Sequence, residues 1–238
     1  MGMNSKWVHS HLVYYDSSNE QRWLEVLGPN ATKFIQNFTQ LPIDDTTGDP
    51  TEWTTTVVEV GAGNSTIALT PAAGGNAIMT CAADENDGIQ IQLNGEAFKL
   101  DGQYPCYFGI RFKVNDADQV DFLAGLCITD TTLLGGMSDG VYFQTVDESA
   151  TLTLEIEKDS SATSGSVHTL VDDTWVIAEF YFDGTYVDSY IDGTLQTRLA
   201  VTNLPDDEEL TVSLALLTGE AVANTATIDW VRAFQIRA

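Results

Sequence analysis

The chain has 238 residues, of which 43% are hydrophobic and 10% aromatic, so it can bury a sizeable core and lacks a disordered composition. Its 35 Asp and Glu residues far outnumber its 10 Lys and Arg residues and give a formal net charge of −25. Charge of this sign repels nucleic acids and anionic lipids, so we expect no nucleic-acid partner and no membrane partner.

Residues 1–50 differ in pattern from the rest and predict an N-terminal arm, extension and linker. Ser17 and Glu20 form a capping-box pattern before QRWLEVL, which indicates a short helix. ATKFIQNF indicates a second short helix, with Phe34, Ile35 and Phe38 on one side. The stretch LPIDDTTGDPTEW that follows is typical of a loop. No apolar signal segment is present in MGMNSKWVHSHLVYY, so we expect synthesis in a reducing cytoplasm.

Residues 51–238 predict one all-β domain. About thirteen short segments rich in β-branched and aromatic residues follow one another, separated by Gly, Asp, Asn and Pro. Several of them alternate, as in YFGIRFKV, where apolar residues face a core and Arg111 and Lys113 face outward. This pattern without long helices predicts an antiparallel β-sandwich or jelly roll. Within it, DGT occurs at residues 183–185 and 192–194, and both Asp-Gly pairs predict type I′ hairpin turns rather than calcium loops.

The last third of the chain combines Trp175, Asp183-Gly184, YIDG at 190–193, Leu204-Pro205 and IDW at 228–230. This combination resembles the concanavalin A-like jelly roll, the superfamily of laminin G-like domains, legume lectins and family 16 glycoside hydrolases. Within that superfamily the chain is similar to single-domain structural proteins of tailed phages. The matching stretches are AFKL at 97–100, YFGIRF at 107–112, FLAGL at 122–126, ITD at 128–130 and GVYF at 140–143.

The family 16 resemblance raises an enzymatic alternative on LEIEKD, residues 154–159. Glu155, Glu157 and Asp159 stand at alternate positions, which would place three carboxylates on one face of a strand. By the resemblance Glu155 would be the nucleophile and Asp159 the acid/base. The family has Asp in the middle and Glu at both ends, however, and SSATSGS at 160–166 follows at once and indicates a flexible turn. We therefore expect no catalytic residues and no enzymatic activity.

Other sites are predicted with less support from the pattern. His9 and His11 could share one face of a strand, but no third ligand follows, so we predict no metal site and no cofactor. Cys81, Cys106 and Cys127 have no metal or disulfide spacing and are expected to be buried, reduced thiols. Asp206–Glu209 is expected to be a charged turn. Tyr186 and Tyr190 share one face and are the candidates for contact with surface glycans.

The phage resemblance implies a virion protein on the outer surface of the capsid, with the major capsid protein as its partner. We therefore predict a capsid decoration protein, cementing or stabilising the assembled head, that attaches through its arm and forms a trimer or dimer. A carbohydrate-binding lectin-like module and a family 16-like hydrolase are the alternatives. The expected capsid contacts are the apolar residues of the arm: Trp7, Trp23, Leu24, Leu27, Phe34, Ile35 and Phe38.

Overall fold

The computed structural model describes residues 3–8, 11–16, 31–61, 63–101 and 104–236, with side chains given for residues 31–235 of these ranges. The described chain is almost entirely β. Its elements are β1 Met3–Val8, β2 His11–Asp16, β3 Ala31–Gln36, β4 Trp53–Val58, β5 Thr66–Thr70, β6 Asn76–Thr80, β7 Gly88–Leu93, β8 Cys106–Val114, β9 Val120–Cys127, the helical turn α1 Leu133–Gly136, β10 Gly140–Thr145, β11 Thr151–Lys158, β12 Ser161–Thr169, β13 Val176–Phe182, β14 Tyr186–Ile191, β15 Thr194–Ala200, β16 Thr211–Thr218 and β17 Thr225–Ile236.

Two antiparallel sheets form a sandwich, as the sequence predicted. Sheet I has the strand order β12-β11-β10-β9-β16-β7-β4. Sheet II has the order β15-β14-β13-β8-β17-β6-β5, and β3 also pairs with β17. The long strand β17 pairs with β6 along Thr225–Ile228 and with β3 along Val231–Ile236, so that β6 and β3 together cover one of its edges.

The core lies between the sheets because alternate residues of each strand are apolar. In β8 the side chains of Phe108, Ile110 and Phe112 are fully buried, whereas Arg111 and Lys113 lie on the outer face of sheet II. Phe112 stacks on Phe122 of sheet I with ring centroids 4.2 Å apart, which joins the two layers. The alternation predicted for YFGIRFKV is therefore confirmed.

The helix predicted over ATKFIQNF is wrong, because Ala31–Gln36 forms strand β3. Phe34 packs edge-on against Trp53 at 5.5 Å between ring centroids, and Phe38 is only 1% exposed. The free edge of β17 beyond β6 offers backbone hydrogen bonds to this segment, and long-range pairing of this kind overrides a weak helical stripe.

The flexible turn predicted after Asp159 is also wrong. Ser161–Thr169 forms strand β12 and pairs with β11 from Lys158↔Ser161 to Thr151↔Thr169. Only Asp159 and Ser160 form the turn, both with positive φ, 50° and 60°. β12 is the edge strand of sheet I and is mostly exposed, so small polar residues suffice there, and the usual hydrophobic signal is missing.

The two Asp-Gly pairs differ. Asp192 and Gly193 have φ of 47° and 76° and connect Ile191 to Thr194, so the predicted type I′ turn is confirmed there. At Asp183 only Gly184 has positive φ, and three residues connect the strands. The Asp183 carboxylate accepts hydrogen bonds from the backbone N–H groups of Thr185 and Tyr186, at 2.7 and 2.8 Å, which stabilises this longer loop.

At the N-terminus β1 and β2 pair with each other from Met3↔Asp16 to Val8↔His11. Among the described strands they form a two-stranded sheet of their own. The predicted helix QRWLEVL lies outside the described residues. The predicted boundary at residues 50 and 51 stays a prediction, although the sandwich includes β3 from the arm side of it.

Candidate functional site

One loop covers part of the outer face of sheet I. Residues 128–139 connect β9 to β10, contain α1 and pack onto the outward side chains of the sheet. A second apolar cluster, separate from the main core, joins the loop to the sheet: Leu123, Cys127, Leu133, Met137, Tyr142 and Ala215. The loop thus has its own small core, which holds it against the sheet.

Two buried glutamines of β7 fix the backbone of this loop. The Gln90 amide donates to the carbonyl of Asp130 at 2.6 Å and accepts from the N–H of Leu133 at 3.0 Å. Gln92 donates to the carbonyl of Ile128 at 2.9 Å and accepts from the N–H of Asp130 at 2.9 Å. An amide can donate and accept at once, so each Gln satisfies buried backbone groups of a segment without regular structure.

A cleft of about 280 Å³ remains beside the loop. The loop supplies the apolar residues Leu133, in α1, and Met137, directly after α1. Strands β10 and β11 supply polar side chains: Tyr142, Gln144, Glu155 and Glu157. The Tyr142 hydroxyl donates to Glu157 Oε2 at 2.5 Å and lies 3.4 Å from Glu155 Oε2. The cleft therefore presents two carboxylates and an amide beside an apolar wall, a composition common in small-ligand sites.

The electrostatics of the cleft raise the pKa of Glu157 and that of Tyr142. Burial raises the pKa of Glu157, and the negative charges of Glu155 and Asp139 raise it further, although the hydrogen bond from Tyr142 opposes this. Burial, the hydrogen bond to Glu157 and the nearby carboxylates also raise the pKa of Tyr142, so its hydroxyl remains a proton donor. Ionised Glu155 and Glu157 would accept hydrogen bonds from hydroxyl groups in the cleft.

The structure brings together two of the three acids singled out by the family 16 resemblance. Glu155 and Glu157 share the outer face of β11, but Asp159 is exposed in the turn that follows. The Asp159 N–H donates to Asp139 Oδ1 at 3.1 Å, so this residue closes the hairpin. Tyr142 is the group that sequence analysis missed, because it comes from the neighbouring strand and pairs with Glu155 in the β10–β11 register.

Tyr186 and Tyr190 lie on the outer face of sheet II. Between them, Asp188 is only 6% exposed, and the Arg198 guanidinium donates to both of its oxygens, at 2.6 and 2.7 Å. The same guanidinium lies 5.0 Å from the ring of Tyr186, which is 40% exposed. The two tyrosines thus face away from the core, and the polar group between them already has a partner.

The residues predicted to contact a capsid are divided by the structure. Phe34 and Phe38 pack against the sandwich, whereas Ile35 lies on the outer face of sheet II and is 41% exposed. Trp7 belongs to β1, of which only the backbone is described. Trp23, Leu24 and Leu27 lie outside the described residues. Capsid contact by this set stays a prediction.

Metal ligands and reactive thiols are not found in the described part of the chain. It contains no group of three or more His, Cys, Asp and Glu side chains that could hold a metal ion. His9 lies outside it, and only the backbone of His11 is described. All three cysteines are free and buried, as predicted, and burial raises the pKa of Cys81 to about 12. Asp206 and Asp207 pair with Lys158, and Glu209 with Lys99, which explains the acidic stretch as a charged turn.

Comparison with known proteins places the fold. No protein-family model and no curated protein sequence matches the chain. A protein of unknown function from Shewanella oneidensis MR-1 is similar in structure, with a TM-score of 0.59, 14% identity and coverage of 94% of this chain and 95% of that chain. A glycoside hydrolase family 16 endo-glucanase from Bacteroides ovatus has a TM-score of 0.59, 14% identity and coverage of 84% and 99%.

The potassium-bound carbohydrate recognition domain of Emp46p is also similar, with a TM-score of 0.55, 11% identity and coverage of 83% and 94%. At these identities the likeness shows the fold, which is a concanavalin A-like jelly roll. This confirms the fold class predicted from the last third of the sequence. In the described residues, no helix is long and apolar enough to cross a lipid bilayer.

Proposed function

We propose that the chain is a non-enzymatic capsid decoration protein of a tailed phage, made in the host cytoplasm and bound to the outer surface of the assembled head through its N-terminal segment. The observation that supports this most is the hairpin β1–β2, which pairs with no other described strand. An isolated two-stranded hairpin is marginally stable in water, so a surface that packs against it would stabilise it. A head assembled from the major capsid protein would supply such a surface.

The charge distribution agrees with this arrangement. The whole chain carries −25, but only three of its acidic residues, Asp16, Glu20 and Glu25, precede residue 31. The sandwich therefore carries most of the negative charge and would keep decorated particles apart by mutual repulsion. Phe34 and Phe38 are engaged by the core, so the residues left for capsid contact are Trp7, Trp23, Leu24, Leu27 and Ile35.

Deleting residues 1–30 should abolish binding to heads assembled from the major capsid protein of the phage, and leave the sandwich folded. The deletion ends before β3, because removing this strand would expose the edge of β17. Co-sedimentation with purified heads measures binding, and thermal unfolding verifies the fold. The surface variant Val222→Ser should bind like the full chain. Undiminished binding by the truncated chain would exclude the arm as the attachment segment.

A second candidate function is saccharide binding in the cleft of sheet I. The observation that favours it is the convergence of Glu155, Glu157 and Gln144 on one cleft beside an apolar wall. Carboxylates and amides are suitable acceptors and donors for sugar hydroxyls. Saccharide binding would be a second activity beside attachment to the capsid, and it requires no cleavage of a glycosidic bond.

A glycan array separates the surfaces that could bind sugar. If the cleft binds, Glu155→Gln with Glu157→Gln should lower retention of the bound glycan at least about tenfold, and Asp159→Asn in the adjacent turn should leave it unchanged. Loss of retention with Tyr186→Ala instead would assign glycan binding to sheet II. An array without any saturable ligand would exclude this second function.

A further inference from the structure

The outer face of sheet II combines aromatic and basic side chains that the proposed function does not use. We call it the arginine–aromatic face, defined by Trp175, Tyr181, Tyr186, Tyr190, Arg198 and Trp230. The strand registers place Trp230 beside Arg111 of β8, and Tyr190 beside Leu195 of β15. Arginine, tryptophan and tyrosine are the residues most enriched in the energetic centres of protein interfaces.

Cations and rings on this face are stacked in pairs. The guanidinium of Arg111 lies 4.3 Å from the ring of Trp175, and that of Arg232 lies 4.6 Å from the ring of Trp230. Gly109 of β8 leaves room for this packing, because a Cβ there would lie 2.1 Å from the Tyr107 hydroxyl and 3.3 Å from Trp230. Stacking already restricts the rotamers of these half-exposed side chains, so they lose little conformational entropy when a partner binds.

The face is also the place where the charge of the chain is balanced. It carries half of the 10 basic residues of the whole chain, namely Lys33, Arg111, Lys113, Arg198 and Arg232. Three of them have carboxylate partners there: Arg111 pairs with Asp229, Lys113 with Asp173 at 2.8 Å, and Arg198 with Asp188. Glu179 is buried at the centre of the face and adds a further acidic group. The net charge of the face is therefore close to zero, and nearly all of the chain's net charge of −25 lies elsewhere.

This balance decides which occupant fits. A nucleic acid or an acidic protein would be repelled by the rest of the surface, and a basic partner would be drawn to the acidic regions instead. A second copy of the chain meets strong like-charge repulsion over most of the surface of the sandwich, but little at this face. We propose that two copies associate face to face through their arginine–aromatic faces, about a two-fold axis.

The size of the face fits a weak dimer. Six neighbouring strands at about 4.8 Å each and about seven residues at about 3.3 Å each give on the order of 650 Å² per copy. Two such faces bury about 1,300 Å² in total, near the lower end of specific interfaces. An interface near the lower end of this range is typical of weak association. Salt should lower the dissociation constant by screening the repulsion between the acidic surfaces.

Sedimentation equilibrium of the full chain tests the dimer. The mass should rise from 25.9 kDa towards twice that value with concentration, and dimerisation should tighten between about 50 mM and about 500 mM NaCl. The double variant Tyr186→Glu/Leu195→Glu places two charges on the face and should raise the dissociation constant at least about tenfold. Both positions are exposed, at 40% and 52%, so the fold should be kept.

The matched control is Val60→Glu/Val222→Glu, which adds the same charge at exposed apolar positions away from the face. It should dimerise like the wild type. A wild type that stays at 25.9 kDa in every condition, a face variant that dimerises unchanged, or a trimer would overturn the proposal. So would a monomer whose retention on glycans depends on Tyr186. The chain lacking residues 1–30 should still dimerise, so a failure of capsid attachment leaves this result independent.

Discussion

Glu157 shows how one residue can be suited to a site and costly to the fold. Its carboxylate is held in a partly buried position by Tyr142, with Glu155 and Asp139 nearby. The described residues of the cleft wall include no basic side chain. Burial of a charge beside like charges disfavours the ionised form. The folded state therefore binds a proton at Glu157 more tightly than the unfolded chain does, and stability falls as the pH rises through this range.

Glu157→Gln should accordingly raise the melting temperature at neutral pH. The ionised side chain destabilises the fold above its raised folded pKa, and this penalty disappears below its ordinary pKa of 4.5. The difference between variant and wild type should therefore be largest near pH 7 and close to zero below about pH 4.5. Differential scanning calorimetry across this range measures it.

Asp183→Asn is the control of opposite sign. The backbone N–H groups of Tyr186 and Thr185 lower the pKa of Asp183 from 3.8, so its charge stabilises the fold above that pH and the benefit is lost in acid. This variant should melt below the wild type at neutral pH and approach it as the pH falls. If both variants shift in the same direction at pH 7, the electrostatic account of Glu157 fails.

Residue pairs within one strand were predictable, and pairs across strands were not. Alternation correctly placed Glu155 with Glu157, and Tyr186 with Tyr190. Counting back from the Asp192-Gly193 turn would pair Asp188 with Thr197, but a bulge between Asp188 and Tyr190 shifts the register so that Arg198 is opposite instead. Because a bulge has no reliable sequence signal, the ion pair that neutralises Asp188 could be found only in the structure.

At the scale of elements, the sequence predicted the strands that have one apolar, buried face. It did not predict the strands whose formation depends on pairing with a neighbouring strand. All thirteen predicted segments form strands, from β4 to β11 and from β13 to β17. β12 lacks the apolar alternation because it is an exposed edge, and β3 exists because β17 is longer than β6. In both cases the cause lies in another part of the chain, which periodicity does not detect.

Phe38→Ala tests whether the segment after β3 is an integral part of the sandwich. The side chain is fully enclosed, so its removal leaves a cavity and should cost about 3–5 kcal/mol, a fall in melting temperature of about 6–20 °C. Ile35→Ala, on the exposed side of β3, should cost below about 1 kcal/mol. Similar small losses for both variants would mean that residues 31–38 belong to the arm rather than to the domain.

At the scale of the whole molecule, the net charge is distributed unevenly over the surface. Half of the basic residues stand on one face of sheet II, and the remaining surface carries nearly all of the −25. Composition predicted the repulsion, but the near-neutral face depends on strand registers that bring residues from six separate strands together. The candidate dimer surface could therefore not be predicted from the sequence, although its residues are of types that are common in protein interfaces.

The same repulsion acts within each copy, so the fold should be more stable at higher ionic strength. Raising NaCl from about 50 mM to about 500 mM shortens the Debye length from about 14 Å to about 4 Å, and we expect the melting temperature to rise by about 2–6 °C. Sodium, potassium and tetramethylammonium chlorides should act alike at equal ionic strength, because screening does not depend on the cation's coordination chemistry. To separate this effect from dimerisation, the measurement uses the Tyr186→Glu/Leu195→Glu variant at low concentration. A rise confined to one cation would replace general screening with a specific ion site, and no rise at all would mean that the carboxylates are spaced too widely to repel.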